Sequence, residues 1–122
     1  MKKVLVVDDS RIMRNIVKST LEKLKISCEF LEAENGAKAY TLLENNEISI
    51  ILLDWNMPEM DGIEFLKKVR AMPNYQELPI IMVTSEAGKY SMVEALQNGA
   101  TDYIVKPINE KVFMEKLSEI HF

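Results

Sequence analysis

Residues 4–9 read Val-Leu-Val-Val-Asp-Asp, and residues 50–54 read Ile-Ile-Leu-Leu-Asp. Each stretch is a short, continuous run of branched apolar residues, which is typical of a strand buried on both faces of a parallel sheet. Each run also ends in acidic side chains. Because parallel strands end at the same edge of a sheet, where such folds bind ligands, we expect Asp8, Asp9 and Asp54 to meet there.

Further apolar runs alternate with helical patterns along the rest of the chain. Strands are predicted at residues 3–7, 28–33, 48–53, 78–83 and 103–105, the second of them at an edge of the sheet. Helices are predicted to begin after Asp9, to span about 35–45, 61–71 and 89–98, and to begin after Asn109. This alternation predicts an α/β fold, a flavodoxin-like (βα)5 doubly wound parallel sheet with strand order 2-1-3-4-5.

The spacing of apolar residues predicts which side of each helix is buried. The predicted inner residues are Ile12, Met13, Ile16, Val17, Leu21 and Leu24 in the first helix, and Met92, Ala95 and Leu96 in the fourth. Ser10 is predicted to cap the first helix. Cys28, within the second strand, is expected to be a core residue and not a reactive thiol.

The composition restricts the class of protein. At 122 residues, with 48% hydrophobic and 28% charged residues, the chain is expected to form one domain, residues 1–122, without an attached effector. Its net charge of -4 argues against nucleic acid or an anionic membrane as the partner. Its apolar stretches are too short to span a bilayer, and its single cysteine fits a reducing compartment. We therefore expect a cytoplasmic monomer.

Three carboxylates brought together repel one another and require cations. Lys106 follows the fifth predicted strand and supplies an ammonium group at the same edge of the sheet. Carboxylate oxygens also suit Mg²⁺, which takes about six oxygen ligands and usually keeps several waters. The predicted ligands are Asp9, Asp54 and the backbone carbonyl of Asn56, with Asp8 contributing through water.

These residue types support phosphoryl transfer to a carboxylate. Asp54 would attack a phosphoryl donor to form an aspartyl phosphate, while Mg²⁺ and Lys106 neutralise the phosphoryl oxygens. Thr84, at the end of the fourth strand, would donate a hydrogen bond to the bound group. No general base is needed, because a carboxylate is already ionised at neutral pH. The sequence therefore predicts a phosphorylation site.

Four motifs, spread over the whole chain, carry a resemblance to a known family. They are Val-Val-Asp-Asp-Ser at residues 6–10, Asp-Trp-Asn-Met-Pro-Glu-Met-Asp-Gly at residues 54–62, Thr84, and Tyr-Ile-Val-Lys-Pro at residues 103–107. In these motifs the chain resembles response-regulator receiver domains, most of all those of the chemotaxis type. The order and spacing of the motifs make the resemblance highly specific.

The resemblance implies roles for particular residues. Asp54 would be the phosphoacceptor, Asp8 and Asp9 the acidic metal-binding pair, and Lys106 and Thr84 the residues that sense the phosphoryl group. The residues Asn56 and Glu86 would tune dephosphorylation, and the bond between Lys106 and Pro107 would be cis.

The resemblance also implies a switch and its partners. Tyr103 is either a core aromatic or a residue that turns inward when Thr84 moves toward the phosphate. In the second case it couples the site to the face built by helix four, strand five and helix five, around Lys89, Tyr90 and Lys116. The implied partners are a sensor histidine kinase of the chemotaxis type, a flagellar motor switch protein that binds this face, and a phosphatase.

Other interpretations of the same residues remain open. Taken alone, the pair Asp8 and Asp9 is more typical of a turn or helix cap, and Lys106 of a solvated charge; only their combination favours a site. A haloacid dehalogenase-type phosphohydrolase would need a second aspartate where Asn56 stands, and a pseudo-receiver would have lost one of the site residues. Within the receiver interpretation, the alternative to motor control is a phosphorelay shuttle or a phosphate sink. His121 is predicted to be an exposed tail residue.

Overall fold

Strands and helices alternate along the chain, as the sequence predicts. The computed structural model describes residues 1–120. Its strands are β1 (Lys2–Val7), β2 (Cys28–Ala33), β3 (Ile50–Leu53), β4 (Ile80–Thr84) and β5 (Asp102–Val105). Its α-helices are α1 (Arg11–Lys23), α2 (Gly36–Asn45), α3 (Gly62–Arg70), α4 (Lys89–Gln97) and α5 (Glu110–Ser118), and a short 3-10 helix, Pro73–Tyr75, follows α3.

The strands form one parallel sheet in the order β2-β1-β3-β4-β5, which confirms the predicted flavodoxin-like fold. The register of the sheet aligns the strand ends. Val7 pairs with Leu53, so Asp8 and Asp54 leave the sheet at the same level. The last residues of β4 and β5 also pair, which brings Lys106 to this edge.

Helices cover both faces of the sheet and bury two apolar layers. On one face α2, α3 and α4 pack on the sheet, and on the other face α1 and α5 do so. The central strands β1, β3 and β4 contribute fully buried side chains to both layers, as expected for strands between two helical layers. The strand ends that carry the acidic residues are therefore held by a packed core.

The buried faces of two helices are narrower than predicted. Ile12 and Ile16 of α1 are 73% and 42% exposed, and Leu96 of α4 is 44% exposed. A single helix on a flat sheet buries only the side chains that point toward the sheet, such as Val17 and Leu21 in α1. The predicted burial of Ile12, Ile16 and Leu96 is therefore wrong.

Smaller differences concern strand starts and Cys28. β3 and β4 begin at Ile50 and Ile80, two residues later than predicted. Pro79, directly before β4, has no N–H to donate, although its carbonyl accepts a hydrogen bond from the backbone N–H of Ile51 (2.9 Å). Cys28 is only half-buried at the edge of the core, and burial raises the pKa of its thiol.

Two points concern the ends and the surface of the molecule. Between residues 1 and 120, every helix is too short or too polar to cross a bilayer. The prediction for His121 concerns a position outside the described residues.

Candidate functional site

Three carboxylates converge at the carboxyl ends of β1 and β3. One oxygen from each of Asp8, Asp9 and Asp54 lies within 4.8 Å of the others. Asp8 and Asp54 are 4% and 6% exposed, whereas Asp9 is exposed. The predicted cluster is therefore present, with two buried members and one that faces solvent. Such a set of anionic oxygens suits a hard divalent cation.

Both oxygens of the Asp8 carboxylate accept hydrogen bonds, one from the turn between β1 and α1 and one from Lys106 after β5. Asp8 Oδ1 accepts a hydrogen bond from the backbone N–H of Ser10 (2.9 Å), and Asp8 Oδ2 accepts one from Lys106 Nζ (2.8 Å). Ser10 caps α1, as predicted, because its Oγ accepts a hydrogen bond from the N–H of Met13 (3.2 Å). The helix thus begins directly behind the acidic pair.

Arg14 holds this turn through a backbone atom, a contact that was not predicted from the sequence. Its Nη1 donates to the backbone carbonyl of Asp8 (2.7 Å), and its Nε donates to Glu32 of β2 (3.0 Å). Burial opposes ionisation of Glu32, but hydrogen bonds from Arg14 and Lys18 hold the pKa of this carboxyl below its usual value. A side chain that acts through a backbone carbonyl leaves no motif in a sequence.

The carboxylate of Asp54 has weaker partners than that of Asp8. Its Oδ1 accepts a hydrogen bond from the backbone N–H of Trp55 (2.8 Å), while Lys106 Nζ lies 3.5 Å from its Oδ2. Burial, and then repulsion from Asp8, raise the pKa of Asp54 above its usual value, whereas Lys106, the Trp55 N–H and the Thr84 hydroxyl act to lower it. Of the two buried carboxylates, Asp54 is thus the one that Lys106 approaches less closely.

Lys106 lies between the two buried carboxylates. The ion pair with Asp8 is short (2.8 Å) and that with Asp54 is longer (3.5 Å). Its backbone N–H donates to the carbonyl of Thr84 (2.8 Å), and the bond to Pro107 is cis, as the resemblance implied. One ammonium group therefore serves two carboxylates.

Thr84 and Tyr103 both form hydrogen bonds with the backbone of Glu86. The Glu86 N–H donates to Thr84 Oγ1 (3.2 Å), and the Tyr103 hydroxyl donates to the Glu86 carbonyl (2.5 Å). Thr84 is fully buried, and Tyr103 is only 3% exposed. Burial, with the negative charges of Glu86 and Asp54, raises the pKa of Tyr103 to about 12. In this structure the aromatic ring therefore lies inward.

Asn56 and Glu86 form a bridge beside the acidic cluster. Asn56 Nδ2 donates to Glu86 Oε1 (2.9 Å), which joins the loop after β3 to the loop after β4. The two residues predicted to tune dephosphorylation are thus in direct contact. This contact could not be read from their separation of 30 positions along the chain.

The face formed by α4, β5 and α5 contains three residues of the predicted docking surface. Tyr90 is 93% exposed, and Lys89 is also exposed. Lys116 forms an ion pair with Asp102 (2.9 Å). Tyr103 is buried beneath this face and contributes no exposed surface to it, because its ring packs into the core.

Known proteins resemble this chain over nearly its full length. Residues 4–118 match the family described as response regulator receiver domain. A chemotaxis protein CheY homolog of Campylobacter jejuni is 50% identical over 119 residues, which are 97% of this chain and 91% of the relative. Chemotaxis protein CheY1 of Helicobacter pylori is 47% identical, with 97% and 95% covered. The solved structure of Vibrio cholerae CheY4 has a TM-score of 0.88 at 36% identity, with 99% of both chains covered.

These likenesses agree with the architecture and with the site. The matched residues run from β1 to the end of α5 and include every residue of the acidic edge. The strand order and the five helices are those of the flavodoxin-like fold that CheY4 shares. The chain therefore belongs to the response regulator receiver family, among the CheY-like chemotaxis response regulators.

Proposed function

We propose that residues 1–122 form one receiver domain that acts in the cytoplasm and is phosphorylated on Asp54 by a chemotaxis histidine kinase. Phosphorylation then changes the affinity of the domain for a flagellar motor switch protein. The observation that carries the proposal is the geometry of Asp54, a buried carboxylate that has an ammonium group 3.5 Å away and an acidic cluster beside it.

The acidic cluster fits Mg²⁺. The proposed ligands are the carboxylates of Asp9 and Asp54 and the backbone carbonyl of Asn56, with Asp8 contributing through water. The carboxylate oxygens within 4.8 Å of one another support this assignment. When bound, Mg²⁺ would supply positive charge that offsets the carboxylates and the phosphoryl oxygens.

In the proposed chemical step the chain supplies the acceptor carboxylate, a positive charge and a hydroxyl donor. A carboxylate oxygen of Asp54 bonds to phosphorus while the bond from phosphorus to the donor imidazole nitrogen breaks, and the imidazole keeps that electron pair and takes a proton. Lys106 stabilises the phosphoryl oxygens as a positive charge. The Thr84 hydroxyl donates a hydrogen bond to one of these oxygens.

The proposed switch passes through the backbone of Glu86. When Thr84 turns its hydroxyl toward the phosphoryl group, its contact with the Glu86 N–H (3.2 Å) changes, and Tyr103 is bound to the carbonyl of the same residue. Moving a population from 1:99 to 99:1 requires about 5.5 kcal/mol. Two or three charge-assisted hydrogen bonds, at about 1.5–3 kcal/mol each, supply that energy. If Tyr103→Ala binds the output partner with unchanged dependence on phosphorylation, this coupling is wrong.

The bridge between Asn56 and Glu86 is proposed to control loss of the phosphoryl group. Hydrolysis needs a water in line with the bond to Asp54, and the bridge joins the loop that follows Asp54 to the loop that follows Thr84. We expect Asn56→Ala and Glu86→Ala to alter the dephosphorylation rate while the fold is retained. If both variants lose the phosphoryl group at the wild-type rate, the bridge does not have this role. A phosphatase partner is proposed to act at the same bridge.

The test of the proposed function is chemical modification of Asp54. Acetyl phosphate in magnesium buffer is expected to add one phosphoryl group to the wild-type chain, measured by intact mass. Asp54→Asn is the control and is expected to stay unmodified. A wild-type chain that remains unmodified under these conditions would overturn the proposal.

The output partner is tested separately. Beryllofluoride with Mg²⁺, which mimics the phosphorylated state, is expected to strengthen binding to the purified motor switch protein. Tyr90→Ala, on the exposed α4 surface, is expected to weaken that binding. A phosphate sink or shuttle would be phosphorylated normally but would bind the motor protein no better in the activated state.

A further inference from the structure

Gly62 closes the loop that follows the phosphoacceptor. It is the first residue of α3, and its backbone N–H donates to the carbonyl of Trp55 (2.7 Å). Residues 54–61 thus leave the sheet and return to the point where they began. Asp61 then caps the helix by accepting a hydrogen bond from the N–H of Glu64 (2.9 Å). The start of α3 is therefore held directly against the peptide that follows Asp54.

The space at Gly62 is too small for any side chain. A Cβ atom on this residue would lie 2.1 Å from the carbonyl oxygen of Asp54, 2.9 Å from the Cα of Trp55 and 3.0 Å from the carbonyl carbon of Asp54. All three atoms belong to the backbone, so no rotamer change can relieve the clash. A side chain would force the loop to open at its base.

The atoms that would move are those that orient the site. The N–H of Trp55 donates to Asp54 Oδ1, and the N–H of Asp54 donates to the carbonyl of Val7 on β1 (2.8 and 2.9 Å). A shift of the peptide between Asp54 and Trp55 therefore turns the Asp54 carboxylate. It also displaces the carbonyl of Asn56, one residue further on.

We propose that Gly62 is a positioning residue for Mg²⁺ binding and phosphoryl transfer, an inference that rests on the proposed function. Its role is to let α3 approach the Asp54–Trp55 peptide closely enough to fix the carboxylate. The residue itself contacts neither the metal nor the phosphoryl group.

Two other glycines provide matched controls, because each also lies at the start of a helix. A Cβ on Gly36, the first residue of α2, would meet only the side chain of Met60, with its sulfur at 2.8 Å. That side chain is flexible and can move aside. Gly88 caps α4, and the nearest atom to its Cβ position is Ser91 Oγ at 3.9 Å. The three positions thus form a series of backbone clash, side-chain clash and open space.

The experiment compares Gly62→Ala, Gly36→Ala and Gly88→Ala in the full chain. Mg²⁺ affinity is measured by calorimetry, thermal stability by circular dichroism, and phosphorylation with acetyl phosphate. We expect Gly62→Ala to weaken Mg²⁺ binding by about tenfold or more, the scale of losses seen when a group that orients a ligand is removed. The other two variants should bind Mg²⁺ as the wild type does.

The outcomes separate positioning from general destabilisation. A folded Gly62→Ala variant with wild-type Mg²⁺ affinity would overturn the inference, even if its melting temperature falls. If this variant unfolds in buffer, all four proteins are compared in trimethylamine N-oxide, which favours the folded state. A wild-type chain that binds no Mg²⁺ would instead overturn the proposed function.

Discussion

The turn after β1 and the loop after β3 begin with the same signal, a buried apolar strand followed by aspartate, but they present their carboxylates differently. The turn of residues 8–10 is short, and α1 begins behind it. There Asp8 accepts hydrogen bonds from Ser10 and Lys106 at 2.9 and 2.8 Å. The loop of residues 54–61 is long, and Asp54 accepts one backbone hydrogen bond, with Lys106 more distant at 3.5 Å.

This difference assigns the two aspartates to different tasks. A carboxylate whose oxygens are both engaged is held in place and is suited to orient a metal and its waters. The carboxylate of Asp54 has a looser contact with Lys106, and burial, followed by repulsion from Asp8, raises its pKa above the usual value. The neighbours of each strand end, and not the residue type, therefore distinguish Asp8, which is proposed to act on the metal through water, from Asp54, which is the proposed acceptor.

Removing Lys106 should have the largest effect, because both carboxylates share it. Lys106→Met is expected to slow phosphorylation by acetyl phosphate by about tenfold to a hundredfold, since a charge-assisted hydrogen bond contributes about 1.5–3 kcal/mol. The matched control is Lys116→Met, which also removes a lysine paired with an aspartate but lies on α5. Similar phosphorylation rates in the two variants would show that Lys106 does not act on the transferred group.

Neutralising Asp8 should change both the ionisation of Asp54 and the binding of Mg²⁺. Asp8→Asn removes a charge that repels Asp54 and frees Lys106 to approach it. We expect the pKa of Asp54 to fall and Mg²⁺ affinity to drop by about tenfold to a hundredfold, because a group that orients the metal is lost. Carboxyl titration by NMR and calorimetry measure the two effects. A pKa of Asp54 that stays unchanged would mean that Asp8 does not influence it.

Neutralising Asp54 should stabilise the fold at neutral pH when Mg²⁺ is removed with EDTA. Its pKa is raised in the folded state, so folding favours the protonated form. The contribution of Asp54 to the stability of the fold is fully present below the pKa that it has in the unfolded chain. This contribution is lost as the pH rises through the higher pKa of the folded state, at about 1.4 kcal/mol for each unit by which the two pKa values differ. Asp54→Asn should therefore unfold at a higher denaturant concentration than the wild type at pH 7, and this advantage should disappear in acid.

The control for this stability effect is Asp9→Asn, at the exposed member of the cluster. If Asp9→Asn gains as much stability as Asp54→Asn, the effect comes from the net charge of the cluster and not from burial of the Asp54 charge. Equal stability of Asp54→Asn and the wild type at pH 7 would contradict the assigned cost of burying the Asp54 charge.

Arg14 should give the smallest effect, because it acts on a backbone atom. Loss of its positive charge alone would strengthen Mg²⁺ binding, whereas loss of its hydrogen bond to the Asp8 carbonyl should weaken it. We expect Arg14→Met to weaken binding about fivefold, the equivalent of about 1 kcal/mol for one hydrogen bond. Lys18→Met is the control, since Lys18 also pairs with Glu32 (3.3 Å). Tighter binding in Arg14→Met would mean that charge outweighs position.

Much of this organisation follows from local patterns. The continuous apolar runs predict central strands, and the residues after them identify the acidic edge, because a parallel sheet brings strand ends together. The exposure of Ile12, Ile16 and Leu96 could not be predicted, since helical periodicity does not reveal whether a neighbouring helix covers the flank of an apolar stripe. Gly62 was predicted only as part of a helix start, and its contact with Asp54 depends on how the loop closes.

Residue types and their spacing along the chain predicted the strands and the set of charged groups at their ends, and the flavodoxin-like fold class predicted the strand order. Which carboxylate Lys106 approaches, which backbone carbonyl Arg14 binds and how the Glu86 backbone joins Thr84 to Tyr103 became visible only in the folded domain. Those relations depend on contacts of 2.5 to 3.5 Å between side chains and loops from different elements of the fold. Only packing of the whole domain sets such distances.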